Sequence, residues 1–85
     1  MSKSEPYILT KYERARIIGT RALQLSNGAE PMVKIDGITD VMDIAKKELM
    51  LYKLPFIIRR KFPDGSYIDI KVSDMIVSWL FYFHL

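Results

Sequence analysis

No cysteine occurs anywhere in this chain of 85 residues, and that absence limits what it can fold into. A chain this short removes only about 60–65% of its unfolded surface from water. Small folds therefore commonly depend on disulfides, a metal or a partner. Disulfides are excluded. His84 is the only histidine, and a zinc site built without Cys would have to be rich in carboxylates. Association with a partner is the route left open. One domain is the most that the length supports.

An apolar fraction of 49% beside a charged fraction of 27% belongs to a folded chain rather than a disordered one. The formal net charge of +3 suits nucleic acid or an acidic protein surface, although many ordinary domains share it. Met1 to Glu5 is polar and carries no apolar signal-peptide core. No apolar run reaches the ~18 residues that suggest a membrane span. The expectation is a soluble, intracellular protein without membrane contact.

Residues 1–8 are expected to form a flexible tail, with Pro6 opposing helix. Thr10-Lys11-Tyr12-Glu13 fits a capping box, in which the Thr10 side chain accepts from the Glu13 amide and Glu13 reaches back to Thr10. That helix should run to about Ser26 and stop at Asn27-Gly28. A connection over 29–38 follows, with a possible extended piece from Met32 to Ile35. A second helix should start at Thr39 or Asp40, where Asp40 and Asp43 suit the helix dipole. Val41, Ile44, Ala45, Leu49 and Tyr52 form its apolar face, and Pro55 stops it. Phe56 to Lys61 and Tyr67 to Val72 are β-rich and flank turn chemistry in Phe62-Pro63-Asp64-Gly65-Ser66. Ser73-Asp74 could cap a final short helix. The predicted fold class is α+β: a small single domain of two main helices, a C-terminal β-hairpin and a short terminal helix or tail. The domain spans 9–77, and 78–85 is an apolar C-terminal extension.

The first helix carries Tyr12, Ala15, Gly19 and Ala22 at helical spacing, mostly small, beside an apolar face of Ile18, Ala22 and Leu25. Gly19 costs roughly 1 kcal/mol against Ala in a helix, and close helix packing would account for it better than chance. Lys11, Arg14, Arg16 and Arg21 make the same helix basic. A solvated charged face explains them on composition alone, while arginines also suit carboxylates and phosphates. Arg14 and Arg21 share a face that Arg16 does not, which counts against one phosphate-binding stripe. In Arg59-Arg60-Lys61 neighbours point to opposite faces of a strand. Edge protection and an ionic anchor to an acidic partner groove explain that triplet equally well. Trp79, Leu80, Phe81, Tyr82, Phe83 and Leu85 concentrate apolar surface near a chain end. Such a cluster folds back on the core or meets a partner, and the small core favours the partner. A membrane anchor is the weakest of the three readings, because the run is too short to span and has no Lys or Arg beside it.

Catalytic groupings are missing from the sequence. It has no glycine-rich phosphate loop, no cysteine nucleophile and no second histidine for a triad or metal cluster. Its acids lack the spacing that gathers Mg²⁺. No cofactor is expected.

The run Thr10-Lys11-Tyr12-Glu13-Arg14-Ala15-Arg16-Ile17-Ile18-Gly19-Thr20-Arg21-Ala22-Leu23-Gln24-Leu25 closely resembles the opening block of the omega-like small subunits of multisubunit DNA-directed RNA polymerases. That family comprises bacterial omega, archaeal subunit K and the small subunit shared by the eukaryotic nuclear enzymes. Thr39-Asp40 with Asp43-Ile44-Ala45-Lys46-Lys47-Glu48-Leu49 resembles its second helix. Lys53-Leu54-Pro55-Phe56-Ile57-Ile58-Arg59-Arg60 and Pro63-Asp64-Gly65-Ser66-Tyr67 resemble its strand and turn. The resemblance covers roughly 8–77.

It implies a non-catalytic subunit that clasps the largest polymerase subunit near its C-terminal region and promotes assembly. Catalysis and its Mg²⁺ would belong to the large subunits, and nucleic acid would be met only through the complex. The residues then expected at the partner are Lys11, Tyr12, Arg14, Arg16, Gly19, Arg21, Ile58, Arg59, Arg60, Trp79 and Phe83. The long acidic N-terminal tail of eukaryotic members does not precede the block. The expectation is a short form of the archaeal or viral kind, with helix wording close to the eukaryotic one. The compartment would be cytoplasm or nucleoid in archaea, nucleus in eukaryotes, or virus factory or virion. The extension 78–85 has no family counterpart. The alternative is a free-standing basic nucleic-acid-binding module, whose binding would fall steeply with salt.

Overall fold

Capping chemistry sets where the helices begin. The structure, a computed structural model, describes residues 7–77. After a two-residue strand β1 (Ile8–Leu9), Thr10 caps helix α1 (Lys11–Ser26). The Thr10 hydroxyl accepts from the Glu13 amide at 3.0 Å, and Glu13 accepts from the Thr10 amide at 2.9 Å, so the predicted capping box is present. The helix ends in a Schellman motif: the Gly28 amide donates to Leu25 and the Ala29 amide to Gln24. Gly28 takes the positive φ of 100° that this ending requires.

Helix α2 (Val41–Met50) starts at Asp40, whose carboxylate accepts from the Met42 amide at 2.9 Å. It closes earlier than Pro55. The Tyr52 amide donates to Leu49 and the Lys53 amide to Glu48, the same motif as in α1, but with Tyr52 in the left-handed position at φ 55°. A tyrosine there is strained. Its hydroxyl accepts from the Val77 amide at 3.4 Å. Tyr52 therefore leaves the apolar face on which its spacing had put it.

Strands β2 (Ile57–Lys61) and β3 (Tyr67–Lys71) pair antiparallel, with Arg59 opposite Asp69. Pro63, Asp64 and Gly65 make the loop, Gly65 at φ 92°, and the Asp64 carboxylate accepts from the Ser66 amide and hydroxyl. A 3₁₀ turn (Val72–Asp74) then leads to β4 (Ile76–Val77). This turn and strand stand where a short terminal helix was expected to begin. β4 pairs parallel with β1, Ile8 beside Ile76 and Leu9 beside Val77. Ile8 is thus part of the fold, and the expected tail over 1–8 ends before it; residues 1–6 lie outside the described residues. Met32 to Ile35 forms no strand.

The core is one cluster. Ile17, Ile18, Ala22 and Leu25 of α1 meet Ile44, Ala45 and Leu49 of α2, with Leu9, Leu54, Ile70, Val72, Met75 and Val77 closing around them. The hairpin lays Ile58 and Ile68 against this cluster and turns Ile57, Arg59, Lys61, Tyr67, Asp69 and Lys71 outward.

Candidate functional site

The basic residues of α1 divide between inside and outside. Arg14 and Arg21 are buried, Arg14 at 2% exposure, and this corrects the solvated or partner-facing surface expected for them. Both lie on the inward face at positions 14, 17, 18, 21, 22 and 25. Arg21 meets Glu48 of α2, itself fully buried: Nε to Oε1 at 2.6 Å and Nη2 to Oε2 at 2.9 Å. Arg21 also donates to the Glu30 carbonyl at 2.9 Å, and Glu48 accepts from the Met32 amide at 2.7 Å. One ion pair thus joins both helices to the connection between them. Burial pushes the Glu48 carboxyl up, but the Arg21 guanidinium and the Met32 amide outweigh it, so Glu48 titrates below the usual carboxylate range. Glu48 was not foreseen as a site residue, yet its place between Ile44, Ala45 and Leu49 on an inward face was a legible signal.

The hairpin arginines also find partners within the chain. Arg60 grips Glu13, Nε to Oε2 at 3.0 Å and Nη2 to Oε1 at 2.7 Å, and donates to the Ile8 carbonyl. The capping glutamate of α1 is therefore clamped by β2. The Arg60 guanidinium, working against burial and aided by Thr10, holds the Glu13 carboxyl below its ordinary range. Arg59, on the opposite face, pairs bidentately with Asp69 at 2.9 and 3.1 Å, its guanidinium 3.9 Å over the Tyr67 ring. The triplet Arg59-Arg60-Lys61 is split between two faces, as alternation required.

What remains outward is a coherent face. Tyr12, Ala15, Arg16, Gly19 and Leu23 share the solvent side of α1, Tyr12 exposed by 68% and Leu23 by 63%. A Cβ added at Gly19 would meet nothing within 4 Å. No neighbour in the described chain packs closely there, so the packing expected of Gly19 is not supplied by this fold. Beside the stripe, a groove of about 490 Å³ opens between α1 and β2. It is lined by Thr10, Tyr12, Glu13, Arg16, Ile17, Thr20, Phe56, Ile57, Ile58 and Arg59. Arg16 stands over the Tyr12 ring at 5.5 Å and donates to its hydroxyl at 3.3 Å. Among the predicted residues, Tyr12, Arg16, Ile58 and Arg59 come together here, with Gly19 on the adjoining stripe. Lys11 is exposed near the start of α1. Trp79 and Phe83 lie outside the described residues. Ile57, 60% exposed, was missed because a β-branched residue in a strand signals strand before it signals surface.

Among the described residues, no group of three or more His, Cys, Asp or Glu side chains could hold a metal ion. No helix there is long and apolar enough to cross a membrane. The arrangement offers an apolar, cation-rimmed surface suited to contact.

Residues 6–56 match the model of the family described as RNA polymerase Rpb6. The chain is 55% identical over 71 residues to the DNA-directed RNA polymerases I, II, and III subunit RPABC2 of Schizosaccharomyces pombe, covering 84% of this chain and 49% of that protein. It is 56% identical over 73 residues to the DNA-directed RNA polymerases II and V subunit 6B of Arabidopsis thaliana, covering 84% and 51%. It is 59% identical over 72 residues to the probable RPABC2 subunit of Caenorhabditis briggsae, covering 84% and 52%. The chain spans about half the length of these curated relatives. With an amino-terminal capping box, two helices and a strand all inside or at the edge of the matched region, it belongs to the RNA polymerase Rpb6 family.

Proposed function

We propose that this chain is a non-catalytic subunit of a multisubunit DNA-directed RNA polymerase, that it clasps the largest subunit, and that it promotes assembly of the complex. Its setting is then the nucleus, and it meets nucleic acid only through the complex. The observation that carries this reading is the 55–59% identity to relatives named as polymerase subunits, sustained over more than 70 residues. The geometry supports it. The ion pairs of Arg21 and Arg60 hold the fold together, and the outward face of α1 with β2 is apolar enough to bury against protein. The residues proposed at the partner are Lys11, Tyr12, Arg16, Gly19 and Arg59, which stay outward, and Ile58, half-buried in the lining of the groove.

The free-standing nucleic-acid module loses support from the same geometry. Arg14 and Arg21 are inside, and Arg59 and Arg60 are paired to carboxylates, so the basic helix offers no continuous phosphate track. The test is affinity purification of the tagged chain from its native source, with nuclease treatment and a high-salt wash, followed by mass spectrometry. Large polymerase subunits recovered in equal amounts support the proposal. Recovery of nucleic acid alone, or of nothing, overturns it.

A further inference from the structure

The groove between α1 and β2 combines three features that together specify what it can take. Its floor is apolar, built from Ile17, Phe56 and Ile58, so it favours an occupant with side chains to bury. Its rim is cationic, with Arg16 on the helix side and Arg59 on the strand side. Arg59 already holds Asp69. Arg16 forms no ion pair among the described residues and spends one donor on the Tyr12 hydroxyl, which leaves most of its donor fork unused. The third feature is the state of the groove's own acid. Glu13, the one carboxylate in the lining, is committed to Arg60 and to the Thr10 amide. The groove therefore presents an unanswered positive charge beside unanswered apolar surface.

We infer that this groove docks an acidic segment of the large partner chain, with a carboxylate set against Arg16 and apolar side chains packed between Tyr12 and Ile57. The inference rests on the assembly role proposed above. A guanidinium already oriented over an aromatic ring is pre-organised, so less freedom is lost when a carboxylate arrives. The exposed Tyr12 ring and Ile57 side chain supply the flanking contacts, and tyrosine and arginine are the residue types that carry most contact energy at interfaces. A nucleic-acid strand fits less well, because a single unpaired cation and an apolar floor answer neither the density of phosphate charge nor its hydration.

The test uses the full-length tagged chain co-expressed with its polymerase. Purification after nuclease treatment compares wild type, Arg16→Glu, Arg16→Gln and Ile57→Asp for the fraction retained at low and at high salt. All three substitutions lie on exposed side chains, and thermal melting of each isolated chain checks that the fold is kept. The expected result is a retained fraction about tenfold lower for Arg16→Glu and for Ile57→Asp. Arg16→Gln should weaken retention chiefly at low salt, because it removes the screened charge pair while keeping the stem. Wild-type retention with undiminished retention of Arg16→Glu and Ile57→Asp overturns the groove inference and leaves the assembly role standing. Failure of the wild-type chain to be retained overturns the assembly role itself. Loss of wild-type retention on nuclease treatment overturns both in favour of nucleic acid.

Discussion

Glu48 is the buried acid that answers Arg21 and the Met32 amide together. Truncation to alanine would leave the Arg21 guanidinium buried without its counter-charge, at a cost of about 3–5 kcal/mol. A small domain holds roughly 5 kcal/mol in total, so isolated Glu48→Ala should show no cooperative thermal transition near room temperature. Replacing the pair by Arg21→Met with Glu48→Leu should recover only part of the loss, because the Met32 amide and the Glu30 carbonyl remain unanswered. The acid limb of stability follows from the same group. Glu48 and Glu13 titrate lower in the fold than in the unfolded chain. Their stabilisation is therefore complete above the ordinary carboxylate range and is lost as pH falls through the lowered folded values. Melting temperature should be flat near neutrality and drop in acid, and Glu48→Gln should flatten that drop. Gly19 gives the opposite kind of prediction. With open space where its Cβ would be, Gly19→Ala should raise the stability of the isolated chain by about 1 kcal/mol, read as a higher melting temperature.

Elements were legible wherever short-range chemistry decides them. Thr10 and Glu13 announce a helix start, Asn27-Gly28 a helix end, and Pro63-Asp64-Gly65 a hairpin loop, and all three are found in place. Tyr52 was not legible, because the left-handed position that closes α2 is ordinarily filled by glycine, and a tyrosine in its place announces no helix end. The pairing of β1 with β4 was hidden because two-residue strands carry no period and their partner lies at the other end of the chain. The inward turn of Arg14, Arg21 and Glu48 could have been read from their spacing against the apolar residues, but charge type argued for solvent. At this scale the capping box is open to test. Thr10→Ala should cost about 1 kcal/mol. A double-mutant cycle between Glu13→Gln and Arg60→Gln should show coupling of about 0.5–3 kcal/mol, since the two side chains touch. A coupling near zero would mean that the clamp between α1 and β2 contributes nothing.

For the whole molecule, the division of charge between inside and outside is what relates fold to role. The described ion pairs of Arg21 and Arg60 tie the helices, the connection and the hairpin to one another, while α1 and β2 keep a face with Tyr12, Leu23 and Ile57 in solvent. Of the candidate surface, the resemblance pointed to Tyr12, Arg16, Ile58 and Arg59, which the fold brings into the lining of one groove. The groove itself was not legible, because it exists only where β2 comes beside the amino-terminal half of α1, and no local pattern encodes that approach. The most direct measurement is amide hydrogen exchange on the full chain, alone and within purified polymerase. The account predicts that amides over 11–23 and 57–61 gain protection on assembly beyond that seen in α2, which lies away from the proposed contact. Equal exchange over 11–23 and 57–61 in the two states would contradict it.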